Sequence, residues 1–320
     1  MKFNIKWLGI IGIIILIYLL IKTDLKTLWQ TIITIDIIWL IPAFIFLILT
    51  TIINSARWKY IVEKLNMKIS LKEATVITFK AMFGEHSPGK MGEMFVRAAY
   101  LKDKIKESWG KIIFSVVFSR FVDIWVTAIE AVIAVLFLLF LFGIKSSIIF
   151  PVLGVLVLII IVFILLKNEK IFRKILKPIY KFIMPKKYRE DFDKSFDNFY
   201  DGFKNINFMV LFICFLYDLV ALLTVAFCFY FLGLALNIHF PLHLTILAEP
   251  LMTIAVSLPI SFSGLGAREA VFAFLFSLIG VGVETAIIFS LLFFILRNLV
   301  MVPGIIMILI EKKSNKEIHK

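Results

Sequence analysis

"SPGKMGEMFVR", residues 87–97, places glycine, proline and charged side chains between two strongly apolar parts of the chain. A second stretch of the same kind, "SFSGLGAREAV", occupies residues 261–271. Each follows an apolar segment that is short or interrupted, residues 74–83 and residues 244–259. Because glycine allows tight turns and close approach of backbones, we expect both stretches to be turns within broken helical segments.

The composition of the 320-residue chain is that of a membrane protein, with 61% hydrophobic residues and a mean hydropathy of +1.00. Several apolar runs approach or exceed the roughly 20 residues that a helix needs to cross a bilayer. The predicted fold class is an all-α polytopic membrane protein with about six full transmembrane helices plus two re-entrant hairpins, or about eight spans. The full spans are predicted at residues 7–21, 37–53, 112–142, 148–166, 208–236 and 285–310.

The formal net charge of +13 is concentrated in a few loops and in the C-terminal tail. Cytoplasmic loops of membrane proteins carry an excess of Lys and Arg. The pattern therefore argues against nucleic acid as a partner and favours anionic lipid head groups. It predicts a multi-pass protein of the plasma membrane with cytoplasmic N- and C-termini. The basic segments are residues 57–72, 90–111, 167–204 and 312–320.

The two glycine-containing stretches also indicate a repeat within a single integral membrane domain, residues 1–320. In each half an arginine, Arg120 or Arg297, follows the glycine stretch by about 30 residues inside an apolar helix. Broken segments at matching positions that enter from opposite faces are typical of inverted-repeat transporters. An arrangement of spans without hairpins is the alternative. The predicted units are a first half at 37–166, a basic cytoplasmic linker at 167–205 and a second half at 206–310.

One predicted span, residues 112–142, carries four polar side chains on a single helical face, Arg120, Asp123, Thr127 and Glu130. A charge at bilayer depth costs roughly 2.5–3.5 kcal/mol on insertion scales, so such residues are candidates for function. One interpretation is a buried Arg120–Asp123 pair that only fixes helix packing. The interpretation that we favour is the polar wall of a translocation cavity.

The glycine stretches supply the other candidate residues. In the first, a helix N-terminus together with Lys90 and Arg97 is suited to receive a phosphate or carboxylate, and Glu93 can pair with one of these cations. The alternative is a glycine turn between packed helices with charges at the interface. The predicted substrate-binding or translocation cavity comprises Pro88, Gly89, Lys90, Gly92, Glu93, Arg97, Arg120, Asp123, Glu130, Gly264, Gly266, Arg268, Glu269 and Arg297.

The remaining polar residues carry weaker signals. Asp218 is a further candidate for the cavity, whereas Arg57 and Trp58 are interpreted as an interfacial anchor. Cys214 and Cys228 lie within one apolar run and are interpreted as small buried hydrophobic residues. We predict no metal site and no cofactor. The sequence has no phosphate-binding GxxxxGK[ST] loop, which favours passive movement or coupling to an ion gradient.

Three blocks of the sequence resemble the lysylphosphatidylglycerol synthase transmembrane-region family: "PGKMGE…R" at 88–97, "SRFVD" at 119–123 and "PISFSGLGAREA" at 259–270. The resemblance implies a flippase that moves a polar, phosphate-bearing lipid head group between leaflets, with the block residues forming a central cavity. Ser119 stands where such blocks usually carry an acid, so Asp123 is expected to be the local partner of Arg120. With the sequence ending at Lys320, we expect no aminoacyl-transferase domain and no enzyme activity.

Two other classes of function stay open. The chain is alternatively a non-catalytic membrane scaffold for a separately encoded lipid synthase or glycosyltransferase, in which the intramembrane charges are structural. A membrane enzyme is the third class, although Glu93 with His86 is the best catalytic pair that can be assembled. Expected partners are membrane lipids of the anionic or polyprenyl-phosphate type, and an oligomer is possible.

Overall fold

The computed structural model describes residues 25–86, 91–143, 170–171, 173–174, 178, 196–201, 206–257 and 264–318. This part of the chain is helical and contains no strand, which confirms the predicted all-α fold. Its 3-10 helices are Ile37–Trp39 and Phe83–His86. Its α-helices are α1 (Leu25–Ile33), α2 (Leu40–Lys64), α3 (Leu71–Met82), α4 (Met91–Lys104), α5 (Trp109–Phe142), α6 (Phe208–Ala235), α7 (Leu242–Ser257), α8 (Ala267–Ser277) and α9 (Val283–Ile318).

Four of these helices are long and apolar enough to cross a membrane, α2, α5, α6 and α9. They confirm the spans predicted at 37–53, 112–142, 208–236 and 285–310. The span around α2 extends to Lys64 instead of ending at residue 53, because the helical hydrogen bonds continue where hydropathy falls. The spans predicted at 7–21 and 148–166, and most of the linker at 167–205, lie outside the described residues.

Local sequence explains where several helices begin. Ser70 begins α3 with a capping box, in which its hydroxyl accepts from the Glu73 N–H and the Glu73 carboxylate accepts from the Ser70 N–H. The hydrogen bonds that the Ser70 backbone N–H and hydroxyl donate to the Glu73 carboxylate hold the pKa of Glu73 below its usual value. Ser108 and Asn207 cap α5 and α6 in the same way through their side-chain oxygens.

The order of the helices occurs twice, as a long helix, two short helices and a long helix, first in α2–α5 and then in α6–α9. Helices of one set pack against helices of the other set. Helix α2 packs extensively against its counterpart α6, α3 packs against α9, and α7 packs against α5. Each short helix that precedes a glycine stretch therefore lies against the last long helix of the other half.

Glycine is required where the chain reverses in each half. The backbones of Gly84 and of Gly92–Glu93 approach so closely that a Cβ on Gly84 would collide with them. In the second half Gly264 and Gly266 have φ of +79° and +84°, a region that favours glycine. The predicted glycine turns of the second stretch are therefore confirmed, whereas the importance of Gly84 was missed.

Two hydrophobic clusters enclose a layer of polar side chains. The first cluster contains residues of α5 up to Val126, and the second resumes on the same helix at Ala134. On α6 the corresponding limits are Cys214 and Val225. Glu130 and Asp218 fall between these limits, whereas Asp123 lies within the part of α5 that belongs to the first cluster.

Candidate functional site

Arg57 of α2 lies at the centre of the polar layer. Its guanidinium donates one hydrogen bond to Asp123 on α5 and another to Asp218 on α6. The Arg57 side chain is 3% exposed, compared with 13% for Asp218 and 34% for Asp123. The interpretation of Arg57 as an interfacial anchor is therefore wrong: the extended helix α2 carries it inward, where it joins helices of both halves.

Arg120 is held much less tightly than Arg57. Its Nη1 lies 3.8 Å from Oδ2 of Asp123, beyond hydrogen-bond distance, and its side chain is 22% exposed. The two residues are thus near each other, as their spacing on α5 predicts, but the closer cation at Asp123 is Arg57. Among the described residues, the guanidinium of Arg120 therefore has only this loose ion pair.

Arg297 of α9 forms a bidentate ion pair with Glu85. Its Nη2 donates to both carboxylate oxygens at 2.9 and 2.7 Å, and its Nε lies 3.2 Å from Oε2. Glu85 belongs to the 3-10 helix Phe83–His86, which directly follows α3. Sequence reasoning missed Glu85, although an acid directly before the glycine stretch was a usable signal. This pair connects the turn of the first half with the last helix of the second.

Glu93 and Arg97 occupy successive turns of α4 and bind each other at 2.8 Å. The Arg97 guanidinium also lies over the ring of Trp58, 5.3 Å from its centroid. Its buried Nε has no hydrogen-bond partner within the described chain. Gly92 precedes Glu93 in the first turn of α4. The predicted pairing of Glu93 with a neighbouring cation is thus what the structure contains.

Arg268 and Glu269 form a closed network in the second half. The Glu269 carboxylate accepts from the Gly266 N–H at 2.6 Å, from the Ser290 hydroxyl at 2.7 Å and from the Arg268 guanidinium at 3.0 Å. Arg268 Nε also donates to Ser290 at 2.7 Å, and the Arg268 guanidinium lies over Phe294. The Glu269 side chain is 0% exposed. This geometry fixes the start of α8 against α9. Ser290 was not predicted.

Glu130 differs from every acid described above. Its residue is 8% exposed, and its Oε1 is buried without a hydrogen-bond partner in the described chain. Oδ2 of Asp218 is buried and unpartnered in the same sense. Among the described residues, Glu249 and Asp218 act on Glu130 as negative charges and Arg57 acts as a positive charge.

The predicted site residues separate into four places. Asp123 and Glu130 join Arg57 and Asp218 in the polar layer, with Arg120 beside it. Gly92, Glu93 and Arg97 lie on α4. Arg297 of α9 pairs with Glu85, which belongs to the 3-10 helix after α3. The network around Glu269 lies at the start of α8. Pro88, Gly89 and Lys90 fall outside the described residues, and the described residues contain no cluster of potential metal ligands.

The fold and these networks define a class: a polytopic α-helical membrane protein in which intramembrane charges join two similarly ordered sets of helices. The family model of the lysylphosphatidylglycerol synthase TM region matches residues 6–304, nearly the whole chain. The chain belongs to this family, which confirms the resemblance read from its three sequence blocks and agrees with a role connected with membrane lipids. A search of curated proteins finds no match.

Proposed function

We propose that the protein is a lipid flippase that moves a polar, phosphate-bearing head group between the leaflets of the plasma membrane. One observation carries the proposal: two ion pairs of the described apolar helices connect the two sets of helices to each other. Arg57–Asp218 and Glu85–Arg297 each join the first set to the second. A charge at this depth is costly and marks a pathway for polar groups in many membrane proteins.

The available cations favour a phosphate over a cationic substrate. Arg120 has only a loose ion pair, and Arg97 retains an unpartnered Nε. A guanidinium presents a planar fork of donors that matches phosphate oxygens. A phosphate head group between the two sets of helices would accept hydrogen bonds from these donors, while the acyl or prenyl chains of the lipid stay in the bilayer. Anionic lipids and polyprenyl-phosphate lipids both present phosphate oxygens that can accept these hydrogen bonds.

We further propose that the two sets of helices are inverted repeats and that α3–α4 and α7–α8 are re-entrant hairpins. The repeated helix order and the exchanged packing of α3 with α9 and α7 with α5 support the repeat. The close approach of Gly84 to Gly92 supports a reversal of the chain in the first hairpin. Irregular backbone at membrane depth is tolerated where it is buried in protein or lines a water-filled cavity. The proposed orientation has both termini in the cytoplasm.

The test combines lipid identification with a flipping assay. Wild-type protein, Arg97→Gln and Arg120→Gln are purified for lipid mass spectrometry and reconstituted with fluorescent phosphatidylglycerol or phosphatidylethanolamine, whose exposure is read by dithionite quenching. We expect one lipid class to be enriched in the wild type and lost in both variants, with slower flipping. Lys59→Gln is the control, because it removes a positive charge from an exposed pair on α2. Bulk lipid alone in all samples, with no flipping above empty vesicles, would refute the proposal.

A non-catalytic scaffold for a separately encoded synthase or glycosyltransferase is the second candidate. The observation that favours it is the Arg268–Glu269–Ser290 network, whose buried partners satisfy one another and need no ligand. A scaffold tolerates the joint replacement Arg120→Gln/Asp123→Asn, whereas a flippase loses transport. Neither candidate requires the chain to catalyse lipid synthesis.

A further inference from the structure

Glu130 is an acid that the ion pairs of the described residues leave uncompensated. It lies in the interior of α5, 12 positions before the helix ends at Phe142, which is about 18 Å along the axis at 1.5 Å per residue. Its side chain is buried, and Oε1 receives no hydrogen bond from the described chain. An ionised carboxylate without partners in such surroundings is so unfavourable that the group takes up a proton instead.

Among the described helices that pack against α5, none supplies Glu130 with a cation that is not already paired. Helix α7 presents Glu249, whose carboxylate accepts from Thr253, and α6 presents Asp218. Helix α2 presents Arg57, but that guanidinium already binds Asp123 and Asp218.

Helix α4, which also packs on α5, carries Glu93 and Arg97, and these bind each other. On α5 itself Arg120 lies ten positions away, about 15 Å along the axis. Among the described residues, Arg57 is thus shared between Asp123 and Asp218 while Glu130 Oε1 stays without a partner, and a proton on Glu130 neutralises this carboxyl group where it is buried.

We propose that Glu130 is a proton-binding site and that proton exchange at its carboxyl group couples lipid movement to the transmembrane proton gradient. The second part rests on the flippase function proposed above. In the exchange the O–H bond breaks, the proton passes to water on one side of the membrane, and the carboxylate is later reprotonated from the other side. The ionised form competes with Asp218 for Arg57, which ties proton release to the ion pair that joins α2 and α6.

Infrared spectroscopy tests the protonation directly. The spectrum of the protein in lipid nanodiscs near neutral pH is compared with that of Glu130→Gln. We expect the variant to lose the C=O stretching band of one neutral carboxyl group. Glu269→Gln is the control, because Glu269 is equally buried but ion-paired, and this variant should lose a carboxylate band instead. Loss of a carboxylate band in Glu130→Gln would overturn the proposal.

A second measurement needs no variant. Dicyclohexylcarbodiimide, an apolar reagent that modifies protonated carboxyl groups, is added to wild-type protein in membranes, and the modified residues are found by peptide mass spectrometry. We expect modification of Glu130 that declines as the pH is raised, and none of the exposed Glu63. Absence of modification at Glu130 at both mildly acidic and neutral pH would contradict a proton at this site.

The coupling is tested in vesicles that contain fluorescent phosphatidylglycerol, with and without an imposed pH gradient. The gradient should change the flipping rate of the wild type, and the ratio of the two rates should fall to unity in Glu130→Gln. Wild-type flipping without any response to the gradient overturns the coupling. Absence of wild-type flipping overturns the flippase function instead, while the infrared result still decides whether Glu130 holds a proton.

Discussion

Replacement of Arg57 by Gln tests whether the polar layer stabilises the fold. The change removes the cation shared by Asp123 and Asp218 and leaves two carboxylates facing each other. Breaking a buried ion pair by removing one partner costs about 3–5 kcal/mol. Asp123 is a third exposed, so water compensates part of its loss, whereas Asp218 is nearly enclosed. We therefore expect a loss of about 3 kcal/mol in the free energy of unfolding.

The measurement is equilibrium unfolding by sodium dodecyl sulfate in mixed micelles, followed by circular dichroism. Lys59→Gln is the matched control, because Lys59 lies two positions along α2 and pairs with the exposed Glu63. An exposed i,i+4 pair is worth about 0.3–0.5 kcal/mol. Adding Asp218→Asn to Arg57→Gln should recover part of the stability, since one unpaired carboxylate is then neutral. The reasoning is refuted if Arg57→Gln costs no more than Lys59→Gln.

Two further predictions use the same unfolding assay. Gly84→Ala should destabilise the protein by at least about 1–3 kcal/mol, the range for overpacking, because the added Cβ meets the backbone of Gly92 and Glu93. Gly143→Ala is the control, because open space surrounds Gly143. It should cost about 1 kcal/mol through the positive φ of this residue alone. Equal losses in the two variants would contradict this. A double-mutant cycle on Glu85→Gln and Arg297→Gln should give a coupling energy of about 1 kcal/mol or more, because the pair is bidentate and half enclosed; additive losses would show that the pair is not formed.

The hydropathy of the sequence was enough to predict the class of fold. Apolar runs of sufficient length predict α5 and α6 nearly at their observed bounds, because a membrane helix satisfies its backbone hydrogen bonds within the segment. They also predict the start of α9, although this helix continues beyond the predicted residue 310 to Ile318. The limit of α2 was placed 11 residues early, at 53 instead of 64. Hydropathy reports the loss of apolar character, whereas the helix ends only where its backbone hydrogen bonding ends.

The candidate site was predictable only in part. Pairs that lie close in sequence, such as Glu93–Arg97 and Arg120–Asp123, follow from helical spacing. The partner of Arg297 did not follow, because Glu85 lies 212 positions away. Nor could spacing show that Arg268 and Glu269 of α8 close on Ser290, since a second helix, α9, completes that network.

By itself, therefore, the sequence determined the helices, their order and the residues that carry charge into the membrane. Only the tertiary structure decided which charges neutralise each other. Arg57 meets Asp218 across 161 positions, and this contact makes Arg57 the centre of the polar layer instead of an anchor at its edge. In the part of the chain that the structure describes, the same packing leaves Oε1 of Glu130 without a partner. The reason is physical: helix formation depends on local hydrogen bonds and hydropathy, whereas a buried charge depends on whatever distant side chain the packing brings beside it.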